Sequence, residues 1–292
     1  MEPTLSGSPS PARLDGRASL RAELAGRLRA GDLKLPLMPR VATQLLAMAR
    51  DSDSDASKLS QLIHQDPALA GQVLRIANSP AYLPRTPIVS LQQAVTRLGF
   101  GALIEIAVAA SLQSGTFRVP GYEEDLRLLW RHALASGAWA KEIARAKRSN
   151  VESAFLCGLL HGVGKPTVLQ AVVDVSAALG VPLESNELMA LLGEHHTPVG
   201  SLIAERWSLP RQVSDSIASY ATYRDRGARA LEPMITCLAD RLATFLLWPE
   251  AMDEPALRDH PVFADLNLYP EDVDALIEKR EAVTTFVGAL AV

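Results

Sequence analysis

Four side chains of this sequence are candidates for metal chemistry: His132, His161, His196 and Asp240. Each stands in a separate apolar stretch with helical periodicity, so a shared site requires four distant segments to converge. Imidazole nitrogens and carboxylate oxygens bind metal ions at about 2.0–2.2 Å, which only such convergence provides. Sequence spacing does not show convergence, and an isolated buried histidine is more often a hydrogen-bonded core residue. Both interpretations stay open at the level of these residues.

The stretch GLLHGVGK, residues 158–165, carries the most informative departure from a metal-binding pattern. Many hydrolases place a His–Asp pair at such a helix end, but here Gly162 follows His161 and has no ligand atom. Helices often end with a glycine in the left-handed conformation, which offers a structural reason for Gly162 or Gly164. The stretch lacks the spacing and the following hydroxyl of a phosphate-binding loop. Lys165 is a candidate anion contact, although a solvated lysine is the simpler interpretation.

Composition favours an all-α fold. The chain has 292 residues, of which 48% are hydrophobic but only 5% aromatic, so the core consists mainly of Leu, Ala, Val and Ile. Such a core is typical of packed helices rather than of a β-sandwich. The net charge is −4, with 29 basic and 33 acidic residues, which gives no electrostatic reason to expect nucleic acid as a partner.

Several features predict a cytoplasmic protein without membrane insertion. Cys157 and Cys237 lie in apolar helical patterns without CxxC spacing, which indicates reduced, buried thiols. The apolar stretch ALIEIAVAASL is interrupted by Glu105, and no apolar run is expected to reach the length needed to cross a bilayer. The N-terminal residues lack the apolar core of a secretory signal.

Helical periodicity with capping signals runs almost continuously from residue 35, with no alternating pattern that requires a strand. The predicted helices include two separate ones over ELMALLGEHH and VGSLIAERW. We expect a compact multi-helix bundle in two helical lobes. The predicted organisation is a flexible tail over 1–16, a docking helix over 17–34 that buries Leu20, Leu24 and Leu28, a main domain over 35–248, and a C-terminal loop and helix over 249–292 packed on it. The stretch DPALAGQVLRIANSP reads best as a capped, buried helix, with a partner-docking surface as the alternative.

The order of several motifs resembles the HDOD family, a branch of the HD-type metal-dependent phosphohydrolases. These motifs are LPLMPRVATQLL, IHQDPALAGQVLRIANSP, SLQQAVTRLGF, LWRHALASGAWA, AFLCGLLHGVGK, EHHTPVGSLIAERWSLP and CLADRLA. They span residues 35 to about 247. The resemblance implies an HD-like all-α fold and a role in signal transduction.

The resemblance also places the HD-type metal ligands on this sequence. They fall on His132, His161 and Asp240, with Gly162 where the bridging aspartate is expected. His196 is a further ligand position, and Tyr220-Ala221 stands where a His-His pair is expected. The loss of the bridge and of the pair argues against dinuclear phosphodiester cleavage. A single weakly held ion on the three remaining ligands stays open.

These observations predict a non-catalytic HDOD signalling module, bacterial in character, that acts as a stand-alone adaptor or regulator by binding a protein partner. No cofactor, bound metal or catalytic residue is expected. The vestigial positions His132, His161, Lys165, His196 and Asp240 form a candidate pocket for a partner or for a ligand such as a nucleotide or cyclic dinucleotide. The alternative is a mononuclear metal-dependent phosphohydrolase or phosphodiesterase, in which His196 orients phosphate or water.

Overall fold

The computed structural model describes residues 11–49, 51, 53–82, 84, 86–113, 116–225 and 230–291, and every regular element in these ranges is a helix. The first half contains α1 (Pro11–Ala30), α2 (Arg40–Met48), α3 (Ala56–His64), α4 (Pro67–Ala77), α5 (Leu91–Leu98), α6 (Phe100–Gln113), α7 (Glu123–Ala146) and α8 (Val151–Leu160). The second half contains α9 (Lys165–Leu179), α10 (Ser185–Arg206), α11 (Arg211–Ser219), a 3₁₀ turn (Tyr220–Thr222), α12 (Leu231–Leu247), α13 (Glu254–Arg258), α14 (Val262–Asp265), α15 (Pro270–Ile277) and α16 (Arg280–Leu290). The predicted all-α class is confirmed.

Helix α1 docks on α9 through an apolar face. Leu20 and Leu24 are fully buried, and Leu28 packs at the edge of the core. Arg17 forms an ion pair with Glu187 at 3.2 Å, which ties α1 to α10 as well. The helix begins at Pro11, so residues 11–16 are helical where a flexible tail was expected, because the helix extends one and a half turns beyond its docking face. Residues 1–10 lie outside the described part of the chain.

Helix α7 is the centre of the packing. It lies against α8 and α12, while α2, α4 and α5 pack on α6, which in turn contacts α8. Glu105 of α6 is buried and forms an ion pair with Lys141 of α7, and burial raises the pKa of the Glu105 carboxyl. The glutamate that interrupts the apolar sequence of α6 therefore links the two groups of helices.

Two boundaries differ from the sequence-based prediction. The stretches ELMALLGEHH and VGSLIAERW were expected as two helices but form the single helix α10, with Pro198 inside it. A proline lacks only one backbone donor, and packing on α9 and α11 holds the helix on both sides of it. The short helices α13 and α14 occupy part of 249–269, where a loop was expected. The C-terminal α16 packs on α6 and α7.

The structural interpretation of DPALAGQVLRIANSP accounts for its polar ends. Asp66 caps α4, accepting hydrogen bonds from the backbone N–H groups of Ala68 and Leu69 at 3.0 and 3.1 Å. The side chain of Asn78 accepts from the N–H of Ile88 at 2.7 Å and donates to the Ile88 carbonyl at 2.8 Å. Asn78 thereby fastens the loop that follows α4.

One stretch meets the length and composition of a membrane span, contrary to the expectation from the sequence. It covers Val151–Leu179, and 72% of its most apolar window is buried inside the protein. The stretch combines α8, the turn after it and α9, and these pack on α7, α10 and α12. Its apolar character is therefore explained by its place in the core.

Glycines allow helices to approach closely around this stretch. A Cβ atom on Gly158 would lie 2.4 Å from the carbonyl oxygen of Ser136 in α7. A Cβ on Gly164 would lie 2.1 Å from the carbonyl oxygen of His196 in α10. Gly164 has a φ of −73°, and Gly162 is not among the positive-φ glycines, so the left-handed helix end suggested for them is wrong. Gly164 is required by close helix contact instead.

The α7–α8 contact predicts a strong effect of one methyl group. Gly158→Ala forces α8 away from α7, and we expect it to lower the free energy of unfolding by about 1–3 kcal/mol through overpacking. Gly71→Ala in α4 is the matched control, because nothing lies within 4 Å of its added Cβ. The control should be neutral or stabilising by up to about 1 kcal/mol, as for alanine over glycine in a helix. Urea unfolding measures both, and equal effects would contradict the close-contact argument.

Candidate functional site

Three of the candidate ligands converge. His132 lies on α7, His161 directly follows α8, and Asp240 lies on α12, and one ligand atom from each is within 4.8 Å of the others. The Nε2 atom of His161 is 3.0 Å from Asp240 Oδ1, and Nε2 of His132 is 3.5 Å from the same oxygen. Both imidazoles are buried, whereas one quarter of the Asp240 side chain is exposed. Asp240 is therefore the least buried of the three candidate ligands.

The hydrogen bonds of His161 define its protons. Its Nδ1 atom is 2.6 Å from the carbonyl oxygen of Gly158, and a carbonyl only accepts, so Nδ1 carries a hydrogen. Its Nε2 atom faces the carboxylate of Asp240, which also accepts when it is ionised. The contact thus requires either a second proton on Nε2 or another cation between the two atoms. An Nδ1–H bonded to a carbonyl is also the orientation that metal-binding histidines use.

His132 has a different set of partners. Its Nε2 atom is 3.2 Å from the hydroxyl oxygen of Thr244, and that hydroxyl donates to the Asp240 carbonyl at 2.9 Å. Since the hydroxyl hydrogen is used, the ring donates its Nε2–H to Thr244. Burial, with the nearby Lys165, lowers the pKa of His132 to about 3, so the ring is neutral. The ring of Trp248 stacks on it with centroids 5.4 Å apart. His132 must change tautomer before Nε2 can bind a metal.

Positive charge from protein groups surrounds Asp240. Burial works against ionisation of its carboxyl, but the hydrogen bond and charge of His161, followed by His132 and Lys165, hold its pKa well below the usual range. The ionised carboxylate is therefore the stable form.

Lys165 lies beside the position of the missing carboxylate. A Cβ built on Gly162 would be 3.4 Å from Cδ and 3.7 Å from Nζ of Lys165. These are ordinary contact distances, so the backbone does not require glycine at this position. A carboxylate there would meet an ammonium group.

His196 lies next to the three ligands without joining them. Its Nδ1 atom donates to the carbonyl oxygen of Leu192 at 2.8 Å, so its Nε2 accepts from the hydroxyl of Tyr220 at 2.8 Å. The Tyr220 ring is also 4.9 Å from the ring of His161. Tyr220 stands where the family resemblance places the His-His pair, and its hydroxyl occupies the free nitrogen of His196.

Two of these site residues were not found from the sequence. Thr244 follows Asp240 by one helical turn, and this spacing was a usable signal for a neighbour on the same face. Trp248 lies at the end of α12, and nothing in the sequence indicates that it stacks on a residue more than a hundred positions earlier.

Residues 35–223 match the family model of the HDOD domain. The chain belongs to the HDOD family. Asp240 lies beyond the matched range, so its place beside His132 and His161 comes from the fold. The expected domain end at residue 248 stays a prediction.

Solved structures show the same fold. A Geobacter sulfurreducens HDOD domain protein with unknown function has a TM-score of 0.70 and 22% identity, over 94% of this chain and 97% of that one. A Shewanella amazonensis protein provisionally described as a phosphohydrolase has a TM-score of 0.69 and 22% identity, over 92% of this chain and 97% of that one. A Marinobacter aquaeolei protein provisionally described as a signal transduction protein has a TM-score of 0.68 and 23% identity, over 96% and 67% of the two chains.

A curated relative from Treponema pallidum (strain Nichols), an uncharacterized protein, is 25% identical over 209 residues. The match covers 68% of this chain and 39% of the relative, so this chain spans about two fifths of that protein's length. These similarities support the fold and the family only. The chemistry of the site depends on the residues that this chain has there.

The present residues fit one metal ion in distance but not two. The 3.0 and 3.5 Å separations match neighbouring ligands of a single ion bound at about 2.1 Å. Two features disfavour binding of a metal ion. His132 donates its Nε2–H to Thr244, and the Lys165 ammonium group lies nearby. Two ions do not fit, since Gly162 offers no bridge and the free nitrogen of His196 is taken by Tyr220.

The buried histidines predict a loss of stability in mild acid. Burial, followed by Lys165, lowers the pKa of His196 to about 4. An unfolded histidine has a pKa of about 6.5, so between these values the unfolded state binds a proton that the folded state does not. Stability therefore falls as pH is lowered from about 6.5 towards 4. We expect His196→Gln to reduce the loss between pH 7.5 and 5 by on the order of 2 kcal/mol. Urea unfolding at the two pH values measures it, with exposed His64→Gln as the control that should leave the loss unchanged.

Restoring a carboxylate at position 162, beside Lys165, tests whether the second metal position has been lost. Gly162→Asp should fold, since its Cβ has ordinary space, and its carboxylate should pair with Lys165. We expect no Mn²⁺-dependent hydrolysis of bis(4-nitrophenyl) phosphate from this variant, because the His-His pair is still missing. Gly162→Asn is the control of equal shape without charge. Robust turnover by Gly162→Asp alone would contradict the proposed loss of the second metal position.

Proposed function

We propose that this HDOD domain is a non-catalytic signal-transduction module that acts as an adaptor or regulator by binding a protein partner. The observation that carries the proposal is the state of the second metal position. Gly162 replaces its bridge, and the Tyr220 hydroxyl bonds to the free nitrogen of His196. Without these ligands the chain lacks the two ions of a dinuclear phosphodiesterase.

Under this proposal, the remaining polar groups of the site stabilise the fold by hydrogen bonds between helices. His161 links the Gly158 carbonyl at the end of α8 to Asp240 on α12. Thr244 links His132 on α7 to the same part of α12. Hydrogen bonds to charged groups each stabilise a protein by roughly 1.5–3 kcal/mol. The former ligands thus fasten three helices.

A second candidate function is a mononuclear phosphohydrolase, favoured by the convergence of His132, His161 and Asp240. These three would hold one ion, which would activate a water molecule or polarise a phosphoryl oxygen when bound. Asp240 is the only one of the three whose side chain is appreciably accessible to solvent.

Chelation separates the two functions. Under the proposal His161→Ala lowers the free energy of unfolding by about 1–3 kcal/mol, through a cavity and an orphaned partner, with or without chelator. The enzyme candidate predicts that chelator lowers the melting temperature of the wild type and leaves His161→Ala nearly unchanged, since a bound ion stabilises the folded state. Exposed His64→Ala is the matched control.

Elemental analysis and turnover assays on cyclic dinucleotides and nucleoside phosphates complete the test. Stoichiometric metal together with metal-dependent turnover would overturn the proposal. A protein partner captured from the native cell should also be captured by Gly162→Asn, because partner binding does not depend on a metal.

Buried Cys157 and Cys237, both free thiols, support a cytoplasmic location. Nucleotide binding at the five vestigial positions stays a prediction.

A further inference from the structure

A cavity of about 260 Å³ is lined in part by residues of the HGVGK turn. Its walls come from the end of α6, the first half of α7 and the α8–α9 turn, together with Trp207 and Ala291. Leu160, Gly162, Val163 and Pro166 line it, whereas His161 and Lys165 of the same turn do not. The turn thus contributes residues to the apolar cavity and to the candidate metal centre.

The lining is apolar except at a few positions on its edge. Leu112, Phe117, Leu126, Leu129 and Trp130 form much of the wall. Two arginines, Arg127 and Arg131, also line the cavity, and no acidic side chain of the described residues does. Apolar walls with a few charged groups are typical of small-molecule sites.

The two arginines differ in how their charge is used. Arg127 forms an ion pair with Glu124 of the same helix. Arg131 is exposed and has no ion pair within the described part of the chain. The edge of the cavity therefore carries one positive charge that forms no ion pair with the described acidic residues, and an anion at this edge would balance it.

We propose that this cavity binds an aliphatic monocarboxylate of medium chain length, with its hydrocarbon in the cavity and its carboxylate against Arg131. A cavity of about 150 Å³ already holds benzene when its walls are apolar. The present 260 Å³ suits a longer chain but is small for a nucleotide, since ligand pockets of that class run from about 300 to 1,000 Å³. The apolar wall also offers few partners for the hydroxyls of a sugar. The site is independent of the proposed adaptor function and of any metal.

Calorimetric titration with hexanoate, octanoate and decanoate tests the proposal on the intact chain. Each buried methylene should tighten binding by about fourfold until the cavity is full. Octanol and octylammonium have the same chain, and both should bind more weakly than octanoate, octylammonium most weakly. No saturable binding of any of the acids, or equal binding of octanoate and octylammonium, would overturn the proposal.

Two variants locate the ligand. Arg131→Gln should weaken octanoate by about fivefold and leave octanol unchanged, since it removes only the charge at the edge. Arg211→Gln is the matched control: it removes the same charge from an exposed arginine outside the cavity and should change neither. Ala133→Leu fills the cavity and should abolish binding of both ligands, with circular dichroism confirming that it folds.

Asp240→Asn separates this cavity from the candidate metal centre. A folded Asp240→Asn should bind octanoate with wild-type affinity, because Asp240 does not line the cavity. Loss of octanoate binding in this variant, or unchanged binding in both Arg131→Gln and folded Ala133→Leu, would place the ligand elsewhere and overturn the proposal.

Discussion

The site depends on how closely α8 can approach α7. Gly158 faces the backbone of Ser136 with no room for a Cβ, and Gly137 similarly faces the ring of Phe155. This contact sets the end of α8 beside α7, so the rings of His161 and His132 have centroids 5.6 Å apart. A wider separation of the two helices would leave two buried imidazoles without their shared neighbour on α12.

Each candidate ligand of this site has a partner within the protein. The Nε2 atom of His161 contacts Asp240, His132 contacts Thr244, and His196 contacts Tyr220. Buried polar groups without such partners are costly, which explains why these histidines remain compatible with a stable core.

The turn at 161–164 joins two environments. His161 and the following Lys165 belong to the polar site, whereas Gly162 and Val163 line the apolar cavity. Gly164 fixes the position of the turn, because its backbone touches the backbone of α10 near His196 and Gly200. A turn held by this contact positions residues of both environments without requiring that they share a ligand.

The sequence by itself determined the features that depend on neighbours along the chain. The helical class, the Asp66 cap, the docking face of α1 and the absence of a carboxylate after His161 all follow from local pattern, because capping and periodicity involve residues within a few turns. The ordered motifs also identified the family and thereby the candidate ligands. The reason for Gly164, the course of α10 through Pro198 and the start of α1 were judged incorrectly, since each depends on packing or continues beyond a local signal.

Only the tertiary structure decided which partner each polar side chain of the site has. His161 and Asp240 are 79 positions apart, and their hydrogen bond exists because α7, α8 and α12 pack together. The Tyr220 hydroxyl on His196, Trp248 on His132 and Lys165 beside Gly162 are likewise contacts between separate elements. The spacing of residues along the chain does not specify the distance between side chains on separate elements. Whether a histidine donates, accepts or stays free for a metal is set by the atoms that the fold places next to each ring nitrogen.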